Sequence, residues 1–123
     1  MQKESLMHYK FLAPAQEDLL NSIDWLREEY PDRDIRFVDD VNATIERILA
    51  SPKTWQLTDF GLRKLGLSKF PFTINYAIRG DLIVIVSIAH ARQNPKYWHS
   101  RINIIDDFDA SAKSLNRENR VYC

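Results

Sequence analysis

Cysteine is nearly missing from this 123-residue chain; the one that occurs is Cys123, the last residue. A lone thiol excludes an intramolecular disulfide framework and a cysteine-based zinc site. It fits a reducing compartment, and the expected location is the cytoplasm. Glycine is scarce too, with residues at 61, 66 and 80 alone. None builds a G-x-G-x-x-G or Walker pattern, so the usual backbone cradles for phosphate are excluded. An excess of either charge is absent: 17 Lys and Arg balance 17 Asp and Glu. Bulk charge therefore does not indicate a nucleic-acid binder, although a local basic patch stays open. The longest apolar run, Leu82 to Ala89, falls far short of a membrane span, so no membrane association is expected. Met1 to Met7 carries Lys3 and Glu4 and no apolar core of a signal peptide. His8, His90 and His99 do not fall at a helical metal-binding spacing, and neither a metal nor another cofactor is expected.

What the chain does have is alternating periodicity. His8 to Leu12 read as a short strand. Pro14 then suits the first turn of a helix, where its fixed φ costs nothing, and Glu17 and Asp18 would face the positive end of the helix dipole. Ala15, Leu19, Ile23, Leu26 and Tyr30 form one apolar stripe, which Trp25 would widen. Pro31 ends this helix, and Asp32 or Asp34 would cap a second one. The second stripe is Val38, Val41, Ile45 and Ile48, with Ile35, Phe37 and Leu49 beside it; Ser51-Pro52 closes it. Asn42-Ala43-Thr44 matches the glycosylation pattern but falls inside this helix and is discounted.

The period then changes from helical to alternating. Thr58 to Lys69 reads as a loop entering a strand. Phe72, Ile74, Tyr76 and Ile78 alternate with Thr73, Asn75 and Ala77, as in a half-buried strand. Gly80-Asp81 makes a tight turn. Leu82 to Ala89 is apolar enough for a central strand covered on both faces, and Lys96 to Ile102 is a short helix. The expected fold class is α+β: an N-terminal strand, an antiparallel helical hairpin packed on a small antiparallel β-sheet, and a short C-terminal helix or tail. Residues 7–103 would form the one domain, with 1–6 as an N-terminal extension, 104–123 as a C-terminal tail and Met7 as an alternative start.

The chemistry concentrates after the central strand. His90, Arg92, Lys96, Tyr97, Trp98, His99 and Arg101 crowd together there. They offer a cationic and aromatic recognition surface, since arginine clamps phosphate or carboxylate and aromatic rings anchor a partner. The bland alternative is structural: Trp98 closing the end of the sheet, Arg92 pairing with Asp24 or Glu28, and His90 bonded to backbone. Arg63, Lys64, Lys69 and Arg79 form a second basic set, read either as a positive strip or as a charged edge strand.

Three stretches resemble the RelE/ParE superfamily of bacterial type II toxins. They are Ala15-x-x-Asp18-Leu19 followed by Trp25-Leu26, then Phe70-Pro71-Phe72-x-Ile74-x-Tyr76, and then Ala89-His90-x-Arg92-x-x-Pro95-x-Tyr97-Trp98. The last carries one extra residue between arginine and proline. The resemblance is greater to ParE-like, plasmid-stabilisation members. It implies a toxin that binds and inhibits DNA gyrase without being an enzyme, and that a cognate antitoxin neutralises. Partner-binding residues would be Asn21, Trp25, Arg92, Tyr97, Trp98 and Arg101. The toxin would occur as a homodimer or a toxin–antitoxin hetero-oligomer.

The RelE branch implies the alternative, a ribosome-dependent mRNA endoribonuclease. Lys64, Arg92 and Tyr97 would then be catalytic, with His90 or His99 as acid or base. Thr73 and Gly66 stand where that branch carries an arginine and a lysine, which leaves the nuclease set incomplete. A second alternative is a toxin-derived protein that only binds its antitoxin.

Overall fold

A computed structural model describes residues 7–105. The chain runs through β1 (His8–Phe11), α1 (Ala13–Glu29), α2 (Arg33–Ala50), β2 (Gln56–Leu57), a 3-10 turn at Asp59–Gly61, β3 (Arg63–Gly66), β4 (Phe72–Arg79), β5 (Leu82–His90) and α3 (Lys96–His99), continuing as 3-10 helix over Ser100–Ile104. The five strands form one sheet in the order β1-β5-β4-β3-β2. This is the α+β architecture the sequence implied, with one amendment. β1 pairs parallel to β5, whereas every other neighbour is antiparallel. Parallel pairing needs a long crossover, and the helical hairpin with three further strands provides it.

β5 lies inside the sheet and is buried from Leu82 to Ala89, as its unbroken apolar run predicts. The β4–β5 register slips between Asn75 and Tyr76. Asn75 faces Ser87 and Tyr76 faces Ile85, so Val86 is an extra residue on β5, a β-bulge. Alternation along β4 sends Phe72, Ile74 and Tyr76 toward the helices. Phe72 meets Phe37 of α2 edge-on at 4.9 Å. The Tyr76 hydroxyl donates to the carbonyl of Pro52, just past α2, at 2.6 Å. Burial pushes the Tyr76 phenol up to about 12, although the nearby Arg63 charge pulls the other way.

The hairpin corrects several sequence expectations. Ala15, Leu19, Ile23 and Leu26 are buried, but Tyr30 and Trp25 are not. Trp25 is 49% exposed and meets Tyr30 edge-on at 5.7 Å. Position 25 lies about 100° around the helix from the buried position 26, too far to share its stripe. In α2 the buried set is Phe37, Asp40, Val41, Thr44, Ile45 and Ile48, displacing the apolar face toward Phe37; Ile35 is 64% exposed. Full burial of Ile45 and Ile48 stabilises by about 1.5–3 kcal/mol each. Asp32 occupies the N-cap position of α2 in a left-handed conformation, φ 76°, and makes no side-chain capping bond. Nor does Asp18 face the dipole in the first turn of α1; its carboxylate is buried and engaged elsewhere.

Asp40 of α2 fixes the loop into β4, its carboxylate oxygens accepting the backbone N–H groups of Ser68 (3.2 Å) and Lys69 (2.7 Å). The expected basic strip divides instead. Arg63 is opposite Tyr76 and Lys64 opposite Asn75, so the two side chains leave the sheet on opposite faces. The two-residue strand β2 was not foreseen, because Gln56-Leu57 is too short to show a period. At the C-terminal end of the described residues, Ile104 closes the 3-10 helix and Ile105 is fully buried. The N-terminal extension at 1–6 and the tail from 106 onward lie outside the described residues. Among the described residues, no helix is long and apolar enough to cross a membrane.

Candidate functional site

The segment after β5 folds back across the sheet face that the helical hairpin leaves open, and Arg101 anchors it. Its guanidinium forks onto the Asp18 carboxylate, with Nη1 to Oδ2 at 2.8 Å and Nη2 to Oδ1 at 3.2 Å. Nη1 also donates to the carbonyl of Val86 at 2.8 Å, and Asp18 Oδ2 accepts the N–H of Ile88 at 3.1 Å. These two backbone groups, one on the bulge residue and one two positions on, lie beyond the last β1–β5 pair at Phe11 and Ile85. The ion pair therefore satisfies polar groups that a longer β1 would otherwise have bonded. Burial alone would lower the Arg101 pKa, but the hydrogen bonds and charge of Asp18, with a contribution from Tyr97, outweigh it and hold the guanidinium above its ordinary range. The Tyr97 ring lies under the guanidinium carbon at 5.1 Å.

This arrangement separates the residues grouped by sequence. Trp98 is buried, while Tyr97 is 53% exposed and Arg92 is exposed. Trp98 and Arg101 thus have little surface left to offer a partner. The pairing foreseen for Arg92 with Asp24 or Glu28 is not the one formed. Arg27 meets Asp24 at 3.8 Å, and Arg101 takes the buried carboxylate of Asp18.

On the same sheet face lies a half-enclosed cleft of about 180 Å³. Lys64, Thr73, Asn75, His90, Trp98 and His99 are among its walls. Lys64 and His90 of the nuclease set share this cleft; Arg92 and Tyr97 do not line it. His90 is further restricted. Its Nδ1 accepts the N–H of Arg92 at 3.1 Å, which leaves the proton of the neutral ring on Nε2. In that state Nε2 can donate a hydrogen bond but cannot accept a proton as a base. The backbone N–H of His90 donates to Gln93 Oε1 at 2.8 Å, tightening the turn. Sequence reasoning missed Asn75 as a wall residue, since the strand pattern marks it only as the polar half of an alternation; Thr73, which stands where the nuclease branch carries an arginine, does line the cleft.

A third feature lies at the outer end of α1. Asn21, Ser22 and Trp25 form an apolar groove with Phe72 and His90. Asn21 and Trp25, the two helix residues expected at a partner surface, thus share one exposed wall.

Fold and surfaces define a small α+β domain with one helix-covered sheet face and a C-terminal segment latched over the other. The sequence model for the ParE toxin of type II toxin–antitoxin systems (parDE) matches residues 9–95, and the chain belongs to that family. A solved structure described as the chromosomal ParDE TA system from P. aeruginosa superposes with a TM-score of 0.62 at 21% identity, covering 69% of this chain and 96% of that one. At that identity the likeness speaks for the fold. The comparison with curated proteins gave no match.

Proposed function

We propose that this chain is the toxin of a toxin–antitoxin pair, that it acts by binding and inhibiting DNA gyrase, and that a cognate antitoxin neutralises it. Family membership supports the toxin and the antitoxin partner. One observation favours a binding mode over RNA cleavage: the Arg92 N–H occupies His90 Nδ1, so His90, one of the two histidines on the cleft, is not poised as a base. Cleavage through the RNA 2′-hydroxyl needs a proton acceptor within reach of the reacting atoms. With Arg92 and Tyr97 outside the cleft, Lys64 and His90 are left without the other two members of the set. The antitoxin reading uses Asn21 and Trp25, because an exposed tryptophan beside an apolar groove is the kind of anchor that dominates interface energy.

The test is supercoiling by purified gyrase in the presence of the purified full chain. Loss of supercoiling with accumulation of cleaved DNA, reversed by the antitoxin, is the expected result. Undisturbed gyrase together with immediate arrest of protein synthesis on induction in cells would overturn it in favour of ribosome-dependent cleavage. Unimpaired growth on induction would favour a derived protein that only binds its antitoxin.

A further inference from the structure

We infer that the half of the open sheet face beyond Arg101 is a docking surface for this chain's own C-terminal sequence, Asp106 to Leu115, with its acidic start set against Lys10 and Arg79. Neither gyrase nor antitoxin is the occupant, so the gyrase reading is not needed for it.

Strand register puts Lys10 of β1, Leu82 and Val84 of β5, and Ala77 and Arg79 of β4 on one side of the sheet. Side chains alternate along a strand, so this is the side opposite Phe72 and Tyr76, which meet the helical hairpin and its end. Ala77, Leu82 and Val84 are nonetheless buried. A layer other than the hairpin therefore covers them.

The C-terminal segment heads straight for that surface. Trp98 stands at the cleft with Ala89, and Arg101 reaches the carbonyl of Val86, so the segment runs against β5 toward Val84. Ile105 is fully buried and still has right-handed helical backbone, φ −64° and ψ −45°. A strand rises about 3.4 Å per residue, so the stretch from Val86 to Leu82 is about 14 Å long. A helix needs about nine residues for that distance, which carries it from Arg101 well past Ile105.

The sequence beyond Ile105 fits the remainder. Another 18 residues follow it. Phe108, Ala112 and Leu115 come at steps of three, four and three, the spacing that would continue the side Ile105 buries. Asp107 and Ser114 fall at positions on the opposite side.

Charge selects this surface over the apolar groove beside Trp25. The stretch opens Asp106-Asp107-Phe108-Asp109, three acids in four residues. Lys10 is 6% exposed, and a buried ammonium is tolerated only with oxygen partners around it. Half-buried Arg79 adds a second cation to the same side of the sheet. Next to Trp25, by contrast, Asp24, Glu28 and Glu29 are exposed, and Arg27 is already held by Asp24 and Asp34. That surface repels an acidic stretch. Seated over Val84, the segment closes a basic, apolar face to acidic partners and to a second copy, and leaves the hairpin side open.

The experiment is nuclear Overhauser spectroscopy on the purified full chain with labelled methyl groups. Contacts from the Phe108 ring to the methyls of Ala77, Leu82 or Val84 are expected within one chain, which a mixture of labelled and unlabelled chains tells apart from contacts between copies. Contacts only between copies overturn the inference in favour of a second copy, and contacts from Phe108 to Trp25 overturn it in favour of the α1 groove. Random-coil shifts from Asp106 to Leu115 with no such contacts overturn it outright. Phe108→Ala should speed amide exchange over residues 106–112 about tenfold or more, the worth of one buried aromatic side chain. It should also shift the Ala77 and Val84 methyls while those of Ile45 and Ile48, on the hairpin side, stay in place. Asp106→Asn combined with Asp109→Asn should speed the same exchange; an unchanged rate overturns the assignment of these acids to Lys10 and Arg79. Neither gyrase nor antitoxin enters the measurement, so its failure leaves the gyrase reading untouched.

Discussion

Asp18 of α1 and Arg101 of the C-terminal segment meet at 2.8 Å and between them bond the carbonyl of Val86 and the N–H of Ile88, on either side of Ser87. One side chain follows β1 and the other follows β5, and together they act where β1 has already left the sheet. The pair therefore ties hairpin, central strand and C-terminal segment into one unit. The side chains are 7% and 11% exposed, so solvent screens them little.

Removing one member should leave the other buried and unpaired. Asp18→Asn or Arg101→Met is expected to cost about 3–5 kcal/mol, measured as a lowered midpoint in denaturant unfolding. The Asp18→Leu, Arg101→Met double variant should cost less than the sum of its singles, since it leaves no orphaned charge. Additive losses would show that the two side chains do not act as a pair.

Tyr76 gives a pH signature. Its phenol is held neutral up to about 12 in the fold, against an ordinary value of 10.0. Above pH 10 the unfolded chain releases this proton while the folded chain keeps it. Unfolding is thus increasingly favoured as pH rises from 10 to about 12, and the tyrosine's contribution is fully present only below that window. Tyr76→Phe should lose about 1 kcal/mol at neutral pH, with the bond to Pro52, and should flatten the alkaline decline. An equal alkaline decline in both proteins would refute this assignment.

The nuclease set offers a clean discrimination. Lys64→Gln, Arg92→Ala and Tyr97→Phe, singly or together, should leave toxicity to growing cells within a few-fold of the unsubstituted chain. The removal of working proton-transfer groups would instead cost about 10²–10⁴ in rate. Lost toxicity with antitoxin binding intact would return the cleft and its C-terminal neighbours to the active role.

The helices and the central strand were legible because their burial follows simple periods. Ala15, Leu19, Ile23 and Leu26 are buried at the expected steps, and Leu82 to Ala89 is covered as its composition implies. The failures are all of position in three dimensions. Nothing local says that β1 pairs parallel to β5, because that choice depends on a crossover of some seventy residues. Asp18 was visible as part of a motif, but its partner lies 83 positions away, beyond the reach of any local pattern. The cleft was less legible still. Its walls bring Thr73 and Asn75 of β4 together with Trp98 and His99, which meet only because the C-terminal segment folds over the sheet.

Trp25 provides the last prediction, and two magnitudes decide it. Within the free chain the indole has an edge-on contact with Tyr30 and is otherwise half in water. Its truncation should cost no more than the range for one aromatic pair, at most about 1.5 kcal/mol. At an interface a tryptophan anchor in an apolar groove is worth about 2 kcal/mol or more, which is about a 30-fold change in affinity. Trp25→Ala should therefore leave the unfolding midpoint nearly in place while weakening the antitoxin complex at least 30-fold, and Asn21→Ala should act in the same direction more mildly. Calorimetric titration of each variant with the cognate antitoxin checks both. Unchanged affinity in Trp25→Ala would move the antitoxin off the Asn21–Trp25 groove and onto another part of the surface.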